Sequence, residues 1–143
     1  MRKQCETCQI TDAGPKPYAD DFERLCEANR NFRTVLWTGH FFQITLMCIP
    51  VCGEIGLEIH PDTDQLLYVV SGTGLAQMGM QQKKLDYSVD VRNGFGIVVP
   101  AGTWHNLTNT GRRELKLISV YAPPHHPHGT VHKTKAEADM AED

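Results

Sequence analysis

Gly53-Glu-Ile-Gly-Leu-Glu58-Ile-His60-Pro-Asp-Thr-Asp-Gln65-Leu-Leu-Tyr-Val-Val-Ser-Gly72 is the stretch around which the chain is organised. Glu58 and His60 stand two apart, so on a β-strand both side chains point to one face. Pro61, Asp62, Thr63 and Asp64 then predict a turn, because proline fixes φ and aspartate bonds its own backbone. A second strand starts at Gln65 and carries Leu66, Leu67, Tyr68, Val69 and Val70 before Ser71 and Gly72 close it. A carboxylate, an imidazole and an amide thus meet at one end of a hairpin. Such a site asks for a fourth side chain.

Outward from the hairpin the chain reads as strands. Residues 34–37 and 41–49 precede it. After Gly72 and Gly74 come 75–78, then 87–91, where Tyr87, Val89 and Val91 alternate with Ser88 and Asp90. Asn93-Gly94 marks a turn, 95–99 is an apolar run, and Pro100-Ala101-Gly102 is another turn. Residues 104–109 and 115–121 alternate again. Roughly eight short strands, punctuated by Gly and Pro, predict an all-β sandwich or barrel. A short helix is expected over 20–29, capped by Asp20 or Asp21, with Phe22, Leu25 and Cys26 on one face. This divides the chain into an arm and helix (1–31), a barrel (32–122) and a His/Pro-rich strap with a polar tail (123–143). The last residues, 135–143, read as a frayed helix.

At 143 residues, 41% hydrophobic and 22% charged, the composition is that of one ordinary globular domain. A formal net charge of -3 and the lack of a basic cluster argue against nucleic acid or an anionic membrane as partner. No apolar run is long enough to span a bilayer. Met1 to Glu6 lack an apolar leader, so the expected location is cytoplasmic. Cys5, Cys8, Cys26, Cys48 and Cys52 are an odd set that suits reduced thiols. Cys5-x-x-Cys8 stands in a polar segment without a second pair, and is expected to be solvated. Cys48 and Cys52 are expected to pack as small apolar groups.

Gly94-Phe-Gly-Ile-Val-Val-Pro100-Ala-Gly102-Thr-Trp-His105-Asn-Leu-Thr-Asn109 can complete the hairpin site, because its turn presents His105 at the start of a strand. Here the sequence resembles the cupin superfamily. Gly94, Pro100, Gly102, His105 and Asn109 fit that family's second motif throughout. In its first motif His60 and Gly72 fit, Glu58 takes the first His slot, and Gln65 takes the Glu slot. Cys52 stands at the opening Gly slot, with Gly53 beside it. The two motifs span residues 52–109.

The resemblance implies a double-stranded β-helix, or jelly-roll barrel, with Glu58, His60, Gln65 and His105 converging on a divalent metal in its mouth. Two imidazoles, a carboxylate and an amide suit Zn, Fe, Mn or Ni. Without Gln65 the remaining two-His, one-carboxylate set is that of non-haem iron as well as catalytic zinc. On its own, Glu58 with His60 would read as a polar pair on a wet strand. His105 at the matching spacing shifts the expectation to metal binding. The ligand set is similar to that of mannose-6-phosphate isomerases with Glu and Gln exchanged, which implies a sugar-phosphate isomerase. A metal-dependent dioxygenase and a non-catalytic module holding a small ligand or metal are the alternatives. Arg92, Arg112 and Arg113 read as surface charge rather than a phosphate cluster.

Trp104 and Tyr121 are expected to pack, and Tyr68 to face outside the barrel. His125, His126, His128 and His132 admit two readings: a lid over the mouth, or an extended strap on the outer sheet, of which the strap is preferred. Such barrels with an amino-terminal arm often pair, so a homodimer is expected, with residues 1–19 or the strap crossing between subunits.

Overall fold

Period-2 alternation builds the molecule, a computed structural model that describes residues 10–141. The Cys5-x-x-Cys8 pair lies outside the described residues. Nine strands form two antiparallel sheets. In chain order they are β1 (Arg33–Thr38), β2 (Gln43–Ile49), β3 (Asp64–Ser71), β4 (Thr73–Gly79), β5 (Tyr87–Arg92), β6 (Gly96–Val99), β7 (Trp104–Asn109), β8 (Leu115–Ala122) and the short β9 (Val131–His132). The larger sheet runs β6-β3-β8-β2-β1-β9 and the smaller β5-β4-β7. The crossings make the jelly roll expected from the motifs. Helices α1 (Phe22–Ala28) and α2 (Lys135–Ala141) flank it.

The register sorts the barrel interior into a dry end and a polar end. Along β2 and β8 the inward pairs run Ile49↔Leu115, Met47↔Leu117, Thr45↔Ser119 and Gln43↔Tyr121. Along β3 and β8 they run Val69↔Leu117, Leu67↔Ser119 and Gln65↔Tyr121. The apolar rungs belong to one buried cluster with Leu107, Val91 and Ala138 of α2. The polar rungs are equally buried. Burying polar groups is tolerated only where they are bonded to one another or to a ligand. The polar end is therefore where a site belongs.

The outer face of the larger sheet carries a second cluster, in which Cys26 of α1, Leu36, Leu46 and Val70 pack with Tyr68 and Ile118. Tyr68 faces away from the barrel interior, as the alternation requires. Asp21 caps α1 by accepting from Arg24 N at 3.1 Å. Lys116 of β8 closes its other end by donating from Nζ to the carbonyls of Glu27 and Asn29. A cation at a helix C-terminus satisfies carbonyls that have no intrahelical donor.

Three motif positions turn out to hold backbone. Asn109 Nδ2 lies within donating distance of the carbonyls of Ile49, Pro50 and Arg113, while its Oδ1 accepts from Gly111 N. One amide thus ties the end of β2 to the turn before β8. Gly102 has φ +80, where an L side chain is strained, and its N–H bonds His60 O at 2.9 Å. Cys52, at the opening Gly slot, takes φ +67, so it adopts the conformation that a glycine there would favour. This corrects the packing expected of Cys52: it is exposed in a turn, whereas Cys48 is buried.

Candidate metal centre

Residues 53–60 are not the regular strand the sequence suggests. Gly56, at φ +107, interrupts it, and Asn106 Oδ1 accepts the Gly56 N–H at 2.9 Å. What remains are single bridges to β7 at Glu54↔Thr108 and Glu58↔His105. The second is a reciprocal pair of backbone bonds, Glu58 N to His105 O at 3.0 Å and His105 N to Glu58 O at 2.9 Å. Together with the bond from Gly102 N to His60 O, this locks the backbones of Glu58, His60 and His105 to one another.

Their side chains converge. Glu58 Oε2 lies 3.3 Å from His60 Nε2 and 3.4 Å from His105 Nε2. The candidate ligand atoms of the three residues all lie within 4.8 Å of one another. Both Nε2 atoms are buried without a hydrogen-bond partner. His105 Nδ1 meets Thr103 O at 2.9 Å, which requires a proton on Nδ1 and turns Nε2 towards the triad. Burial raises the Glu58 pKa, but the ring nitrogens of His105 and His60 outweigh it and hold the carboxyl well below the carboxylate range. An ionised carboxylate with two imidazole nitrogens, each able to give up its proton to a metal, is a donor set that a divalent cation fits.

Gln65 is buried at the same end. Its Nε2 donates to Ser119 Oγ at 2.9 Å, and its Oε1 has no partner. The amide is thus oriented with a free acceptor oxygen.

The strap does not lie on the outer sheet, which overturns the preferred expectation for its histidines. The His125 ring stands 4.3 Å, centroid to centroid, from His60 and 5.4 Å from Tyr121. His126 packs edge-on against Tyr121 at 5.1 Å and beside His132 at 6.2 Å. The strap is held there by Gln43, whose Oε1 accepts from His125 N and His126 N while its Nε2 donates to His126 O. Farther along, Asp12 of the arm accepts from Gly129 N and Thr38 N and lies 3.4 Å from His128. Arm and strap are therefore tied within one chain. Sequence reasoning passed over Arg33, Gln43, Thr45 and Ser119. Their inward orientation is set by the strand register, not by local sequence.

Burial, then the positive charge of Arg33 and the neighbouring His125 and His132, pull the His126 pKa down to about 2. His126 is then neutral in the folded state while the unfolded chain protonates it near its ordinary 6.5. Below that value the unfolded state binds more protons, so stability contributed above about pH 6.5 is lost as pH falls towards 2. At pH 5 the loss is about 2 kcal/mol. Urea unfolding of the wild type and His126→Gln at pH 7.5 and pH 5 checks this. The acid-induced drop is expected to shrink by about that amount in the variant, and an unchanged drop would exclude His126 as its source.

A cleft of about 670 Å³, apolar, lies between the open edges of β5 and β6. Met78, Val91, Phe95, Ile97 and Pro100 line it, and so does Thr103, whose carbonyl holds His105. It adjoins the triad rather than containing it. Trp104, half-buried, is opposite Gly79 in the smaller sheet.

Fold, motif and converging triad define the class, and the model of the cupin domain matches residues 45–121. The chain belongs to the cupin family. It is 52% identical over 134 residues to YrkC of Bacillus subtilis, described as uncharacterised, covering 94% of this chain and 72% of that protein. An uncharacterised protein of Acanthamoeba polyphaga mimivirus is 38% identical over 104 residues, covering 72% of this chain but only 63% of the viral protein. A crystal structure of a Bacillus halodurans protein, 54% identical, superposes with a TM-score of 0.91 over 92% of this chain and 99% of that one. No helix among the described residues is long and apolar enough to cross a membrane.

Proposed function

We propose that the protein is a divalent-metal cupin enzyme that moves a proton on a small hydroxycarbonyl substrate. This is isomerase-type chemistry, and sugar phosphates of the mannose-6-phosphate kind are the first class to test. Glu58, His60 and His105, joined by Gln65 through Oε1, are the residues that would hold a cation of the Zn, Fe, Mn or Ni group. The observation that carries this reading is the meeting of one carboxylate oxygen with two buried, otherwise unpartnered Nε2 atoms. When bound, such a cation supplies Lewis-acid polarisation of a carbonyl or hydroxyl. The chain contributes His125 and Tyr121 beside His60, two side chains able to hold or pass a proton.

A dioxygenase is the second reading. It turns on Gln65, whose amide nitrogen is bonded to Ser119 and whose oxygen has no partner. If its oxygen stays unligated, two imidazoles and one carboxylate form the facial set of non-haem iron oxygenases. The protein is proposed to act in the cytoplasm as a homodimer. Exposed Val98 on edge strand β6, paired with half-exposed Leu66, favours a second copy as partner.

Metal analysis of the purified protein, followed by turnover assays, tests the reading. Zinc- or manganese-loaded protein is to be assayed with aldose and ketose phosphates, and iron-loaded protein with oxygen and diketones. Isomerisation supports the first reading and oxygen consumption the second. Metal retained without turnover on either class would leave a binding module, and turnover surviving in Glu58→Ala and His105→Ala would refute both.

A further inference from the structure

Arg33 is the least explained residue of the interior. It lies on β1 with its side chain facing inward and is only 3% exposed. A guanidinium cannot shed its charge in a protein, so burying it is costly unless an anion is near. Among the described residues no carboxylate forms an ion pair with Arg33. Its Nη1 meets His132 Nδ1 at 3.0 Å, and its Nε is buried without a partner. Phe32 lies 5.4 Å from the guanidinium carbon, a contact that supports a cation but does not neutralise it.

Tyr121, a neutral hydrogen-bond partner of Arg33, also feels the charge of Glu58. His126, which faces Arg33, His125 and His132, has a buried Nε2 with no partner. Three hydrogen-bonding atoms at one end of the barrel thus lack partners outside the triad: Arg33 Nε, His126 Nε2 and Gln65 Oε1. Two of the three belong to residues that suit an acceptor ligand. Glu58 is an acid whose charge reaches both Tyr121 and His126, and it is held by His60 and His105.

We propose that Arg33 anchors the carboxylate of a small organic acid inside the barrel, with the remainder of the acid directed at the Glu58–His60–His105 centre. The second half of this statement rests on the proposed metal function. The first half does not. A carboxylate fits better than a phosphate. A single guanidinium offers one positive charge and a planar fork matched to two oxygens, and the other donors near it are rings rather than cations or a nest of backbone N–H groups. Arg92, Arg112 and Arg113, the other candidates for a phosphate, are exposed. The proposal narrows the substrate from hydroxycarbonyl compounds in general to hydroxy- or oxo-acids.

Calorimetric titration of the full chain, zinc-loaded and metal-free, with malonate, malonamide and inorganic phosphate tests this. Malonate is expected to bind saturably in both forms, more tightly with zinc, and malonamide not at all. Arg33→Gln and Arg33→Met are expected to weaken malonate binding roughly 10- to 100-fold, the usual cost of losing a hydrogen-bonded charge. Equal affinity in the variants, phosphate binding as tight as malonate, or no saturable malonate binding would overturn the proposal. If the variants do not fold, the comparison of malonate with malonamide on the wild type decides alone. Malonate binding by a protein that takes up no divalent metal on loading would refute the metal function and leave the Arg33 anchor standing.

Discussion

Glu58→Gln and His105→Ala are each expected to lower the affinity for a divalent cation by about a hundredfold. A protein zinc site of four ligands is worth ~10–16 kcal/mol, so each ligand contributes ~3 kcal/mol, which is about two decades in affinity. Glu58→Gln keeps the shape of the side chain but removes the charge, and with it the only carboxylate between the two Nε2 atoms. His105→Ala removes an imidazole whose tautomer is set by Thr103 O. Competition against a chromophoric chelator measures both. Gln65→Leu separates two accounts of the amide, with a tenfold or greater loss expected if Oε1 binds and little change if it only faces the site. Wild-type affinity in both Glu58→Gln and His105→Ala would remove the metal centre from this fold.

Why that site could be read in advance, while the rest of the interior could not, follows from how each was encoded. His105 is announced by Pro100 and Gly102, because a turn with φ +80 has few sequence solutions. Glu58 and His60 were correctly placed on one face, although the segment is not a strand. The bridge to His105 keeps it extended locally while Gly56 breaks it. Strand positions were legible because alternation with period two is visible over six residues. Arg33 and Gln43 were not, since an inward polar residue looks in sequence like an outward one. Only the register, Gln43↔Tyr121 and Arg33↔His132, tells them apart. The strap was misread for a related reason. Nothing in Pro-Pro-His-His-Pro-His says which side chain will hold it, and the holder, Gln43, stands more than eighty positions earlier in the chain.

Gln43→Met is expected to destabilise the protein by about 3 kcal/mol and to loosen the strap. Gln43 is fully buried, and methionine can fill most of its volume but none of its hydrogen bonds. Three backbone groups lose their partner at once, His125 N, His126 N and His126 O, and Thr38 Oγ1 loses a fourth contact. Each orphaned buried group costs ~1–3 kcal/mol, and taking the low end allows for water reaching some of them once the strap moves. That is a sizeable share of the ~5–15 kcal/mol that holds a domain folded. The strap itself is the first to respond, because its other ties are ring packing on Tyr121, the arm at His128 and Gly129, Val35 N on Thr130 O, and the short pairing of β9 with β1. Urea unfolding is expected to show the loss, and limited proteolysis new cleavage within 123–130. Metal affinity is expected to stay within a few fold of wild type, since Gln43 touches none of Glu58, His60 and His105. Turnover is expected to fall, because His125 reaches His60 only while Gln43 holds its backbone. A variant with wild-type stability and an uncut strap would show that the histidines are held by their own packing against Tyr121. A variant with a loosened strap and full turnover would remove His125 from the chemistry and leave it a structural wall.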